Sequence, residues 1–255
     1  MNYRRIIPCL DVKNGKLVKG VNFVNLKEIG DPAENARAYD EAGADELVFL
    51  DITATVEERK TLIDAVKRTV AAISIPLTVG GGIRTCDDIQ EMLDLGVSRL
   101  SMNSAAVRRP ELVEEAAKRF GSDRITVAID TRQSLSLPSG YEVVVRGGTE
   151  GAGLDAVAWA KRVESLGAGA ILPTSMDTDG KQTGYDLPMT RAIADAVKIP
   201  VIASGGAGSL EHLRLGVTDG HADALLVASI AHFGTFTIKQ MKDYLAAHNI
   251  PVNWR

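Results

Sequence analysis

"LTVGGGIR" occupies residues 77–84 and "VIASGGAG" residues 201–208. Each is a short apolar run ending in glycines, and each follows an Ile-Pro pair, Ile75-Pro76 and Ile199-Pro200, 124 residues apart. The echo extends beyond this phrase. "GADE" (43–46) recurs as "GAGA" (167–170), "MNSAAV" (102–107) as "VASIAH" (227–232) and "PCLDV" (8–12) as "VAIDT" (127–131). A structural unit written twice is the economical reading of such periodicity.

Eight runs of strand length punctuate the chain, at 5–12, 46–52, 75–81, 99–104, 124–130, 169–175, 199–206 and 223–229. They are continuously apolar rather than alternating, as in parallel strands buried on both faces. A helix-period segment follows each one: 31–44, 58–73, 86–96, 109–121, 153–167, 186–197, 209–220 and 235–249. Asp31-Pro32 supplies a cap and a first-turn proline. The seventh helix is interrupted by Gly216. Eight βα units in 255 residues predict an α/β protein of the closed (β/α)8 TIM-barrel type, a single domain with half-barrels at about 1–122 and 123–255. An open doubly wound sheet is disfavoured, because neither glycine motif reads G-x-G-x-x-G. Segments 13–30 and 131–152 exceed plain connections and read as active-site loops.

Composition narrows the function. A net charge of −4 offers no blanket attraction for nucleic acid or acidic membranes. No apolar stretch approaches the ~18 residues of a membrane span. The opening "MNYRRIIPCLDV" lacks a signal-peptide core, and two isolated cysteines suit a reducing compartment, so a cytoplasmic protein is expected. Cys9, Cys86 and the four histidines show no metal-ligand spacing.

In a barrel of this type, chemistry gathers where strands end. Strand one ends in Asp11 and strand five in Asp130, repeat equivalents that face each other across the mouth. A carboxylate ending an apolar strand is costly unless it is paired or working, and two opposed ones offer a general acid and a general base. Asp51, ending strand two, is either catalytic or orients Lys19 or Thr53. Gly80-Gly81-Gly82 and Asn103-Ser104 end strands three and four. Asp179-Gly180, Gly205-Gly206 and Ala228-Ser229 end strands six, seven and eight. Glycine lets backbone N–H groups approach an anion closely. The duplicated set predicts a substrate with a phosphate at each end. Lys19, in the first long loop, reads as a solvated residue or a lid residue.

The stretches "RIIPCLDVKNGKLVKGVNF", "AGADELVFLDITA", "IPLTVGGGIRT", "NSAAV", "VAID", "GLDAV", "TSMDTDG", "GYDLPMTRAI", "IPVIASGGAG" and "HFG" run from residue 4 to about 234. In them the sequence resembles the cyclase subunit of imidazole glycerol phosphate synthase, of histidine biosynthesis. The resemblance implies a reaction without metal or redox cofactor. A linear bis-phosphate ribulosyl aminoimidazole carboxamide (PRFAR) and ammonia give imidazole glycerol phosphate and an aminoimidazole carboxamide ribotide (AICAR). It implies Asp11 and Asp130 as the acid–base pair and Lys19 as a mobile-loop lysine. Gly82, Asn103 and Ser104 then belong to one phosphate site, and Asp179, Gly180, Gly206, Ala228 and Ser229, beside Gly205, to the other. Thr174 and Ser204 line the pocket. It further implies a glutaminase partner on the opposite face, with ammonia passing a charged ring to which Arg5, Glu46 and Arg99 correspond. Arg99 stands where lysine is usual, Ala170 and Ser98 where acidic residues are usual, and Pro173 is foreign to a strand. These departures place the glutaminase coupling in doubt. Alternatives are a barrel with impaired coupling, or the related bis-phosphate sugar isomerase of the same pathway, which shares the repeat.

Overall fold

The computed structural model describes residues 3–21, 24–52 and 59–254, with backbone alone for 19–21, 24–27 and 59–60. Eight parallel strands carry the architecture: β1 (Arg5–Lys13), β2 (Leu47–Asp51), β3 (Leu77–Gly80), β4 (Arg99–Met102), β5 (Ile125–Gln133), β6 (Ala170–Ser175), β7 (Ile202–Ala203) and β8 (Ala224–Val227). Ladders join β1 to β2, β2 to β3, β3 to β4, β4 to β5 and β5 to β6. β7 pairs with β8, and β8 with β1 in the register Arg5↔Ala224 to Pro8↔Val227. Bridges Ile171↔Val201 and Thr174↔Ser204 link β6 to β7 and close the ring. The result is the (β/α)8 barrel expected from the alternation, with β1 and β5 four strands apart in either direction.

The β6–β7 seam is thin for a readable reason. Ile171 N–H donates to Pro200 O at 2.9 Å, so the donors of alternate β6 residues face β7. Pro173, two residues on, brings no N–H to that side. β7 is correspondingly reduced to Ile202–Ala203, shorter than the 199–206 expected. Pro173 remains in full register with β5, opposite Ile129.

The helices are α1 (Pro32–Glu41), α2 (Arg59–Ala72), α3 (Cys86–Asp94), α4 (Glu111–Phe120), α5 (Ala156–Ser165), α6 (Leu187–Ala194), α7 (Leu210–Thr218) and α8 (Ile238–Ala247). Side chains set their starts: Asp31 accepts from Ala33 and Glu34 N–H, and Thr85 and Thr237 form capping boxes with Asp88 and Gln240. α5 starts later than expected, because residues 150–155 are extended and Asp155 caps it by accepting from Ala158 N–H at 2.9 Å. Gly216 does not break α7: it is buried, and a Cβ there would lie 2.9 Å from Leu225 Cδ2 and 2.9 Å from Tyr185 Cδ2.

Both long loops are built as antiparallel pairs rather than irregular chain. Residues Lys16–Val21 pair with Val24–Gly30, and Tyr141–Val145 with Glu150–Asp155. The main core lies between strands and helices. A second apolar cluster, with Ile7, Cys9, Val48, Leu172, Ile202, Ala224 and Leu226, fills the inside of the ring. No helix among the described residues is long and apolar enough to cross a membrane.

Candidate active site

Above the inner cluster, at the C-terminal ends of the strands, a cavity of about 700 Å³ opens. Asp11, Asp51 and Asp130 line it, together with Gly82, Asn103, Ser104, Thr174, Asp179, Ser204 and Ala228. A narrow continuation, sharing Asp179 and Ala228, adds Gly180, Gly205, Gly206 and Ser229. The strand-end residues singled out in the sequence therefore gather in one site. Lys19 belongs to the first hairpin, where its backbone pairs with Lys27, but its side chain lies outside the described residues. Thr53 also lies outside them, so neither partner suggested for Asp51 is described.

The glycine lips have a steric origin. Gly81 and Gly82 adopt φ of +92° and +68°, Gly205 and Gly206 +84° and +96°. A Cβ on Gly81 would fall 2.1 Å from Asp51 O, and one on Gly206 2.1 Å from Gly184 O. Each lip is pressed against a neighbouring backbone, which only glycine permits.

Asp11 is 5% exposed, and Cys9 Sγ–H donates toward its Oδ1 at 3.7 Å. Across the cavity, Asn103 Nδ2–H donates to Asp130 Oδ2 at 2.8 Å. Burial foremost, then the Asp179 charge, pushes the Asp130 carboxyl up to about 7, against the opposing Asn103 hydrogen bond. Asn103 Oδ1 is buried without a protein partner among the described residues. Asp130 is thus poised to exchange a proton near neutrality, with an amide oxygen beside it open to a donor.

A relay that the sequence does not announce lies beneath Asp11. His232, in the short helix Ser229–His232, donates from Nε2 to Cys9 O at 2.7 Å. A carbonyl can only accept, so Nε2 is the donor there, and Nδ1 meets the Tyr39 hydroxyl of α1, 2.8 Å away. Cys9 lies one residue past Pro8↔Val227, the last β1–β8 pair, so His232 caps a carbonyl that β8 no longer reaches. In the sequence its trace is the histidine of "HFG" (232–234). Also missed were Arg84, Arg108 and Arg146, which line the cavity.

At the opposite end of the barrel, Glu46 bonds Arg5 Nη1 at 2.5 Å through Oε1 and Arg99 Nη1 at 2.8 Å through Oε2. Arg99 Nε–H also donates to Asp123 O at 3.1 Å. Ala170 packs against the inner apolar cluster, and Ser98 Oγ accepts from Leu77 N–H at 3.3 Å. Arg5 and Arg99 share one carboxylate, and a backbone carbonyl supplements it at Arg99.

The histidine biosynthesis protein family matches residues 5–237. Imidazole glycerol phosphate synthase subunit HisF of Trichormus variabilis is 57% identical over 98% of this chain and 97% of its own length. The subunits of the same name from a Nostoc species and from Thermosynechococcus vestitus are 55% and 58% identical over 98% of this chain, and over 96% and 90% of their own lengths. The chain belongs to the HisF family. It is therefore of the cyclase-subunit type in histidine biosynthesis, and the sugar-isomerase alternative falls. The doubt that Ser98 and Ala170 raised about a glutaminase partner is not borne out either, since HisF relatives this similar over nearly their whole length are named as subunits.

Proposed function

We propose that this barrel converts PRFAR and ammonia into imidazole glycerol phosphate and AICAR, with Asp130 as general base and Asp11 as general acid. The observation that carries the reading is one cavity holding these two carboxylates on opposite walls, between two glycine lips. A substrate stretched between the lips by its phosphates presents its two faces to the two carboxylates. Asp130, with its carboxyl raised to about 7, accepts a proton in its ionised form at mildly alkaline pH. Gly82, Asn103 and Ser104 hold one phosphate. Gly180, Gly205, Gly206, Ala228 and Ser229 hold the other, with Thr174 and Ser204 along the pocket wall. Asp179 carries negative charge toward Asp130, which suits a substrate hydroxyl better than a phosphate. Lys19 closes over the substrate from its hairpin. No metal or redox cofactor is required, and the two half-barrels, 1–122 and 123–255, form one cytoplasmic domain.

Ammonia reaches the cavity from a glutaminase subunit on the opposite face, past Arg5, Glu46 and Arg99. The deciding assay supplies PRFAR with ammonium salt, then with glutamine and a glutaminase subunit. Turnover under both conditions is expected. Asp11→Asn and Asp130→Asn should each lower ammonia-dependent turnover by at least about 10²-fold, and near-parental turnover in either variant refutes the acid–base assignment.

A further inference from the structure

The two ends of the cavity are related by the repeat but differ in charge. Around the β7–β8 end, the lining includes the carboxylate of Asp179 and, among the described residues, no lysine or arginine. The β3–β4 end is lined by Arg84, Arg108 and Arg146, from the three successive connections after β3, β4 and β5, Arg108 ending the short helix Ser104–Arg108, in a chain whose net charge is −4.

Arg146 is held there by its backbone. It occupies the tip of the 141–155 hairpin with φ of +54°, and its N–H donates to Ser104 Oγ at 3.1 Å. Its carbonyl accepts from Thr149 Oγ1 at 2.8 Å. Gly148, two residues on, packs so closely that a Cβ would lie 2.5 Å from Met176 Sδ. The tip is therefore pinned to the loops after β4 and β6. The side chain stays 63% exposed and pairs with Glu150 at 3.1 Å, an exposed contact of marginal strength that an incoming dianion can displace.

We propose that Arg84, Arg108 and Arg146 form a cationic rim that captures a phosphate at the β3–β4 end and makes that end the anchor of the substrate. The proposal rests on the bis-phosphate reading of the site. Capture at this end is charge-driven and weakened by salt, whereas among the described residues the β7–β8 end offers its phosphate glycine backbone and Ser229 but no cationic side chain. The rim binds ground state and transition state alike, so its loss appears in KM and not in kcat.

The test compares the parent with the Arg84→Gln/Arg108→Gln/Arg146→Gln variant and with an Arg119→Gln/Arg162→Gln/Arg191→Gln control that loses equal charge elsewhere. In ammonia-dependent turnover the rim variant should raise KM at least about tenfold, keep kcat within about twofold and flatten the dependence of KM on KCl between about 0.02 and 0.3 M. Inorganic phosphate, titrated while amide NMR signals are followed, should shift Gly82 and Gly206 in the parent and only Gly206 in the rim variant. KM within about twofold of the parent with an unchanged salt slope, an equal KM rise in the control, or a retained Gly82 response overturns the proposal. Absence of PRFAR turnover in the parent would sink the bis-phosphate cyclase reading instead, and the phosphate titration still decides the rim.

Discussion

Asp130 keeps its proton to about pH 7 in the fold, while an aspartate in an unfolded chain releases it near ~3.9. Between these values the folded state binds the extra proton, so stability falls as pH rises through that window. Asp130→Asn is fixed in the neutral form and escapes the loss. Its melting temperature should exceed the parent's at pH 8, with the gap closing toward pH 4; scanning calorimetry at both values checks this, and a pH-independent gap refutes it. His232 offers a second residue-level test. His232→Phe removes the hydrogen bonds to the Cys9 carbonyl and the Tyr39 hydroxyl, at about 1–3 kcal/mol. The midpoint of denaturant unfolding should fall, and Tyr39→Phe should cost less in the His232→Phe background than in the parent. Asp11 and Asp130 were legible in the sequence because a charge ending an apolar run is conspicuous. The His232 relay was not, because it spans 223 residues and forms only where β8 ends beside β1.

Among the elements, α7 shows a local rule giving way to packing. Alanine in place of a helical glycine gains about 1 kcal/mol where the site is exposed. At Gly216 the added methyl meets Leu225 and Tyr185, and Tyr185 is held by its hydroxyl donating to Leu226 O at 2.8 Å. Gly216→Ala should therefore destabilise by about 1–3 kcal/mol, as overpacking does, read from the shift in denaturant midpoint. The glycine weakened the helix in sequence terms, yet it is what lets α7 lie against its neighbours. The hairpins had a signal of their own, in the "YEVVV" run (141–145) and the glycines after it. Their length suggested function, but their pairing went unread. The arginine rim was out of reach for another reason: Arg84, Arg108 and Arg146 line one mouth only when the connections after β3, β4 and β5 are arrayed around it.

Across the molecule, the barrel was legible because alternation of buried strand and amphipathic helix leaves few closed solutions, and the repeat fixes which strands oppose each other. What tied the ends together was not. Lys242, on α8, is 2% exposed and donates to Gly43 O, Asp45 Oδ1 and Asn253 O at 2.7, 2.8 and 2.6 Å. Asp45 Oδ2 accepts in turn from Ile6 N–H at 2.8 Å. A lysine in a helix reads as a solvated face, and its carboxylate partner lies 197 residues away in the sequence. Lys242→Met leaves Asp45 buried without its cation, a loss of about 3–5 kcal/mol. By contrast, breaking the exposed Lys239–Asp243 pair should change stability by only about 0–1 kcal/mol. Denaturant titration of the two variants separates them.

That latch also orders events on the ribosome. Asp45 emerges early, and its ammonium partner 197 residues later. Until Ala224–Val227 of β8 follow, β1 has no strand to lie against on that side, and Ile6 and Ile7 border an open edge. The ring can close only near the end of synthesis, and the helix that follows brings Lys242 to tie the residues just before β2 to the C-terminal segment through Gly43, Asp45 and Asn253.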